Sequence, residues 1–217
     1  MREFIRSQKV EHPVKSESLK YQRDYKPIQG LALPAVKNIL RQILQGLAHC
    51  HEMGVMHRNI KPENILIDEI NDENCDIAKC GLNFSAKLAD FALSRSIQVP
   101  HLEKYTPEDP KERERSGREA RRLYYRAPEL MFRPNHYSFE IDMWAVGCVF
   151  AEMALTEPLF KNNSELELLL HIFRLTGSPD RELIEKFISS GSDYSNPMIN
   201  FPAWKRIPFS DICSNEE

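Results

Sequence analysis

Four short strings carry the side chains most suited to chemistry. His57-Arg58-Asn59-Ile60-Lys61-Pro62-Glu63-Asn64 gathers an imidazole, a guanidinium, an ammonium and two carboxamides within eight residues. Asp90-Phe91-Ala92, Ala127-Pro128-Glu129 and Asp142-Met143-Trp144-Ala145-Val146-Gly147 follow in that order. Asp90 offers carboxylate oxygens of the kind that hard cations take. Asn59 decides what the first string can do. A carboxamide has no basic site near neutral pH, so it orients a hydroxyl without accepting its proton.

Together the strings resemble the motif set of a protein kinase. The catalytic-loop pattern is H-R-D-L-x-x-x-N, with D-F-G and A-P-E downstream. Here Asn59 stands where the Asp base belongs, and Ala92 where D-F-G ends. Asp142 to Gly147 resembles the D-x-W-x-x-G of the central kinase helix. Tyr125-Arg126-Ala127-Pro128-Glu129, Pro158-Leu159-Phe160 and Ile172-Phe173-Arg174-Leu175-Thr176-Gly177-Ser178-Pro179 look most like the cyclin-dependent kinases and close relatives. The resemblance runs from about Met1 to Ile212.

It implies Mg-ATP as cofactor, with Lys61 facing phosphate and Asn64 and Asp90 as magnesium ligands. It gives Arg58 a regulatory role, pairing with a phosphate on the activation segment. The family's activating Thr falls at Gly117, which leaves Ser116 as the only hydroxyl neighbour; the competing reading makes Ser116 an unmodified loop residue. His57 and Phe91 are expected to pack and order their segments, and Asp142 to receive backbone N–H bonds from the catalytic loop. Glu129 is the acid that the family pairs with a later Arg. Ala92 is tolerable if its φ is negative. Arg122 replaces a Thr whose hydroxyl bridges the catalytic Asp and Lys, which adds repulsion beside Lys61.

Neither a G-x-G-x-x-G-x-V loop nor a V-A-I-K-like string precedes the catalytic loop. Met1 to Ser7 resembles the helix just after the hinge between kinase lobes, and Phe201-Pro202-Ala203-Trp204 a segment well before the kinase C-terminus. The expected fold is therefore mainly α, of the α+β family: a kinase large lobe with short β-hairpins around the catalytic loop, the small lobe absent. One domain is expected over residues 1–217. Within it, 103–122 reads as a mobile activation-segment region and 190–217 as a mostly irregular tail.

Several elements must position these strings. From Leu33 to Met53, Val36, Ile39, Leu40, Ile43, Leu44 and Leu47 recur at helical spacing, and Gly54 supplies a stop. That amphipathic helix delivers the catalytic loop. Ile65-Leu66-Ile67 and Ala86-Lys87-Leu88-Ala89 read as short strands flanking a surface loop from Asn71 to Ser85. Phe139 to Leu155 is apolar almost all round, the mark of a buried helix. Leu166 to Leu175 reads as a further apolar helix. Lys111 to Arg122 alternates charge without apolar spacing and reads as a solvated loop.

The 217 residues suffice for one domain with a sizeable core, and 41% apolar with 28% charged residues is a globular composition. A net charge of −3 points away from nucleic acid and anionic membranes. No apolar run approaches the ~20 residues of a membrane span, so an intracellular location, cytoplasm or nucleus, is the default. Five cysteines make no disulfide framework. Cys50 and Cys148 fall in segments read as buried helices. Cys75 and Cys80, with four residues between them, lack further ligands at zinc spacing.

The functional expectation is a cyclin-dependent-kinase-like pseudokinase or fragment that acts by protein binding. Loss of a general base removes ~10²–10⁴ in rate. That is about 3–5 kcal/mol of barrier. The alternative is a Ser/Thr protein kinase, degenerate or part of a longer active product. The resemblance places the cyclin-binding helix in the absent small lobe, so ordinary cyclin capture is not expected. Ser164-Glu165-Leu166 resembles the surface that takes a small regulatory subunit; the competing reading packs Leu166 and its neighbours inward.

Overall fold

The helical spacing of Val36, Ile39, Ile43 and Leu47 is realised in a helix from Leu33 to Glu52, α1, which buries those four side chains with Ala35 and Asn38. Pro34 sits in its first turn, where a missing N–H is harmless. Gly54, at φ 72°, turns the chain out of the helix in a conformation that costs other residues. The computed structural model describes residues 10–12, 28–69, 84–97, 103–104, 123–132, 136–162, 164–180, 182–185 and 201–208. Met1 to Ser7, Ser116, Gly117, Arg122, Cys75 and Cys80 lie outside the described residues, as do the Asn71–Asn83 stretch and most of the two segments expected to be irregular.

Four two-stranded antiparallel sheets are present among the described residues. The strands β1 (Val10–His12) and β2 (Ile28–Gly30) pair with Glu11 opposite Gln29, a ladder not anticipated from the sequence. β3 (Val55–Met56) pairs with β6 (Arg95–Ser96). β4 (Ile65–Glu69) pairs with β5 (Phe84–Leu88) in a register that sets Ile67 opposite Ala86. Both strands of this hairpin are longer than expected, reaching Glu69 and starting at Phe84. β7 (Glu103–Lys104) pairs with β8 (His136–Tyr137). The β3–β6 and β4–β5 pairs bracket residues 57–64.

Gln42 ties α1 to the longer hairpin. Its amide donates to the Phe84 carbonyl at 2.8 Å, and its side-chain oxygen accepts from the Ala86 N–H at 3.0 Å.

The short helix α2 (Pro128–Met131) leads to α3 (Glu140–Leu155) and α4 (Glu165–Thr176). Val146, Val149 and Met153 of α3 meet Ile39, Ile43 and Leu47 of α1 and Leu168, Ile172 and Phe173 of α4 in one core. The Leu31 N–H donates to the Met153 carbonyl at 2.9 Å and fixes the entry of α1 against the end of α3. Residues 201–208 have no helix or strand, and they fold back on α4. Phe201 sets its ring edge-on to Phe173 at 5.0 Å and to Phe132 at 6.1 Å. Gly177 permits this return: a Cβ there would lie 2.9 Å from the Arg206 nitrogen, and its φ is 86°.

Three expectations about burial need correction. α3 is not covered all round, because Met143 is 50% and Phe150 45% exposed among the described residues. Leu166 does not pack inward but is 52% exposed; Leu168 and Leu169, two and three residues on, carry the buried face of α4. Cys50 is half-exposed, since it lies off the stripe that α1 buries, whereas Cys148 is buried as expected.

Candidate functional site

Residues 57–64 and 89–91 come together beneath the start of α3. Asp142, 1% exposed, organises them. One of its oxygens accepts the Arg58 N–H at 2.8 Å. The other accepts the His57 N–H at 2.8 Å and faces His51 Nε2 at 3.0 Å. Placed in the first turn of α3, the carboxylate also meets the positive end of that helix.

His57 is fully buried, with its ring 4.6 Å from that of Phe91. The Asn59 N–H donates to His57 Nδ1 at 3.3 Å, so that nitrogen carries no proton. Nε2 then holds the hydrogen and donates it to the Ala89 carbonyl at 3.1 Å. Burial pushes the imidazole pKa below its ordinary value, against the opposing pull of the Asp142 and Asp90 charges. A neutral His57 thus joins the two segments. Phe91 is tilted against it and remains 42% exposed.

Asn59 and Asp90 meet directly. Asn59 Nδ2 lies 2.8 Å from Asp90 Oδ2. Only the amide nitrogen can sit there, since two acceptors would repel, and the orientation of the carboxamide follows from chemistry. Asn64 lies in the 3-10 turn Pro62–Asn64 and donates its Nδ2 to the Asn59 carbonyl at 2.7 Å. The Asn64 carbonyl in turn accepts the Ala89 N–H at 2.9 Å. Asn64 Oδ1 is the atom of this amide that could serve a cation. Lys61 is half-buried on extended backbone at the head of the same turn.

Two non-glycine residues here have left-handed backbone. Arg58 and Asp90 both sit at φ 65°, a conformation that costs roughly 1–2 kcal/mol. The strain considered at Ala92 falls on Asp90 instead; Ala92 lies in the 3-10 turn Phe91–Leu93 and is not among the positive-φ residues. Arg58 directs its guanidinium over the Tyr137 ring, 5.6 Å from its centre.

Glu129 is not part of this cluster. It lies in α2, half-buried, and desolvation raises its pKa, with the Glu140 charge adding to the rise. Among the described residues no cation pairs with it.

Several polar contacts escaped the sequence reading. Tyr125 donates to the buried Glu152 at 2.5 Å, joining the string before α2 to the middle of α3. A single acid inside the apolar run Val146 to Leu155 was the available signal, since such an acid needs a partner. Burial, with the Glu152 charge, pushes the nearby Cys148 thiol up to about 12. Arg126 Nη1 reaches Glu165 Oε1 at 3.3 Å and joins the same segment to α4. His51, six residues before His57, gave no pattern that would assign it to Asp142.

The cation that a kinase fold implies can be tested against these groups. One carboxylate and one amide oxygen are hard ligands of the right type, but few for an ion that resists dehydration. No group of three or more His, Cys, Asp or Glu residues is placed to hold a metal among the described residues. No described helix is long and apolar enough to cross a membrane.

A family model for the protein kinase domain matches residues 10–216. Over 185 residues the chain is 40% identical to cyclin-dependent kinase B2-1 of Oryza sativa subsp. japonica, a match that covers 85% of this chain and 48% of that protein. The chain therefore spans about half the length of the curated relative it matches. The four motif strings in order, the cluster around Asp142 and these matches lead to one conclusion: the chain belongs to the protein kinase domain family, as a cyclin-dependent-kinase-like member.

Proposed function

We propose that this chain is a catalytically silent kinase-fold protein, the large lobe of a cyclin-dependent-kinase-like domain, that acts by binding protein partners. The observation carrying this reading is the Asn59–Asp90 hydrogen bond of 2.8 Å. At the position where a base would accept a hydroxyl proton, the side chain is a donor already directed at a carboxylate. Phosphoryl transfer relies on positioning and electrostatics, and the base adds ~10²–10⁴. Asn64 and Asp90 are the residues that would hold Mg²⁺, which when bound neutralises phosphate oxygens. Lys61 would supply positive charge beside it, and Arg58 would meet a phosphate on the segment that includes Ser116.

Partner binding is supported by Leu166 and Phe150, apolar side chains left half in solvent, on α4 and α3 respectively. A small regulatory subunit of the kind cyclin-dependent kinases bind would meet Leu166, with Glu165 held beside it by Arg126. Capture that is unchanged by Leu166→Asp and Glu165→Lys would dispose of this partner.

Catalytic silence is tested with Mg-ATP and a protein substrate bearing Ser and Thr. The expected result is no transfer above background. Transfer that disappears in Asp90→Ala would overturn the reading. It would support a second one, favoured by the retained Asp90 carboxylate and Asn64 amide oxygen: a degenerate Ser/Thr kinase, or part of a longer active product.

A further inference from the structure

In a kinase catalytic loop the residue at position 59 is an aspartate, which here would place a second carboxylate about where the Asn59 amide meets Asp90. Two carboxylates at hydrogen-bond distance repel each other, and a proton or a cation between them relieves the repulsion. The Asn59 amide removes that repulsion. Its Nδ2 donates to Asp90 Oδ2 at 2.8 Å, so one carboxylate oxygen already has a partner, and the pair holds one carboxyl group rather than two.

The surrounding bonds hold this arrangement without help from a ligand. Asn64 Nδ2 fixes the Asn59 carbonyl at 2.7 Å, and His57 Nδ1 accepts the Asn59 N–H at 3.3 Å. The Asp90 backbone is left-handed at φ 65° and ψ 70°, and its side chain meets that of residue 59. Asp90 is followed by a 3-10 turn closed by the Ser94 N–H on the Phe91 carbonyl at 3.0 Å.

We propose that Asn59 is a built-in stand-in for a divalent cation at Asp90: the carboxamide N–H occupies the carboxylate, sets residues 89–91 in place without metal, and lowers the affinity of the site for Mg²⁺ or Mn²⁺. The inference rests on Asp90 being the cation ligand of this fold, and it concerns binding, not transfer. A cation arriving at Asp90 must displace the amide, and it lacks the second negative charge that an aspartate at position 59 would place close by without being a ligand. Nearby negative charge strengthens cation binding.

The test is Mn²⁺ titration of the full 217-residue chain, following the free-ion signal by electron paramagnetic resonance. The wild type is compared with Asn59→Asp, Asn59→Ala and the double variant Asn59→Ala/Asp90→Asn. Both single variants keep the main-chain bonds of residue 59 to His57 and Asn64. Asn59→Asp should bind Mn²⁺ at least tenfold more tightly than wild type, and Asn59→Ala two- to fivefold more tightly. The Asn59→Ala gain should be lost in the double variant. Without cation, Asn59→Asp should melt at a lower temperature than wild type, and added Mn²⁺ should restore it.

Equal Mn²⁺ affinity in wild type and Asn59→Ala would overturn the inference, as would a gain that survives Asp90→Asn. If Asn59→Asp fails to fold, Asn59→Ala and the double variant decide the matter. Phosphoryl transfer by the wild type would remove the reading of catalytic silence and leave the Mn²⁺ comparison intact, so the two fail separately.

Discussion

Replacing Asp142 by Ala removes the acceptor for two backbone N–H groups, those of His57 and Arg58, each at 2.8 Å. His51 loses its contact at 3.0 Å as well. Leaving a buried donor unmet costs about 1–3 kcal/mol. Two such groups therefore cost about 2–6 kcal/mol. Arg58, freed from this anchor, can leave its left-handed conformation and recover roughly 1–2 kcal/mol. Loss of the acid from the first turn of α3 adds back a few tenths to about 1 kcal/mol. The net expectation is a loss of about 1–5 kcal/mol, a sizeable part of the 5–15 kcal/mol typical of a domain. Urea unfolding at pH 7.5 measures it, with an unchanged slope marking a true stability effect. Amide exchange should locate it: the His57 and Arg58 N–H groups lose protection before the core of α1 does. A loss below about 1 kcal/mol, or unchanged exchange at both amides, would refute the placing of Asp142 at the centre of this network.

Thr156 caps α3 at φ 62°, a position where glycine avoids the strain of a Cβ; Thr156→Gly should raise the melting temperature by about 2–4 °C, and a lowered one would contradict the backbone assignment. Leu168→Ala, at a fully buried site, should cost about 2–5 kcal/mol, while Leu166→Ala, two residues away and half exposed, should stay within about 0.5 kcal/mol; urea midpoints of the pair read the facing of α4. His57 is held neutral with its pKa below the ordinary 6.5, so its share of stability is complete above that value and is lost as pH falls through and below it. Glu129 works oppositely, because a raised carboxyl pKa favours the folded state at low pH and loses that contribution as pH rises through the raised value. Glu129→Gln should therefore steepen the loss of stability between pH 7 and 5, as unfolding curves at the two pH values would report.

Regular spacing was legible where one face alone had to be buried. The stripe Val36, Ile39, Ile43, Leu47 sufficed for α1, and Gly54 for its end, because period and termination are local properties. Phe139 to Leu155 was legible as a helix but not in its facing, since a segment apolar on every side carries no direction; Met143 and Phe150 point outward for reasons that lie in its neighbours. The motif strings pointed to residues that cluster around Asp142, yet their internal contacts are tertiary. Asn59 and Asp90 are 31 residues apart, Tyr125 and Glu152 are 27 apart, and nothing within either string specifies the other partner. The β1–β2 pair is the same case: three-residue strands hold too little pattern to declare themselves.

Gln42 gives the β4–β5 hairpin something more than an attachment to α1. The Phe84 carbonyl and Ala86 N–H lie two residues apart on the outer edge of β5, the pair that a third strand would use. One carboxamide imitates that strand by offering a donor and an acceptor at the required separation. On this edge, two of the groups that would otherwise invite a further strand end on the protein's own helix. A single side chain, placed mid-way along α1, thus takes up a donor and an acceptor through which the strand that leads into Asp90 could pair with another chain.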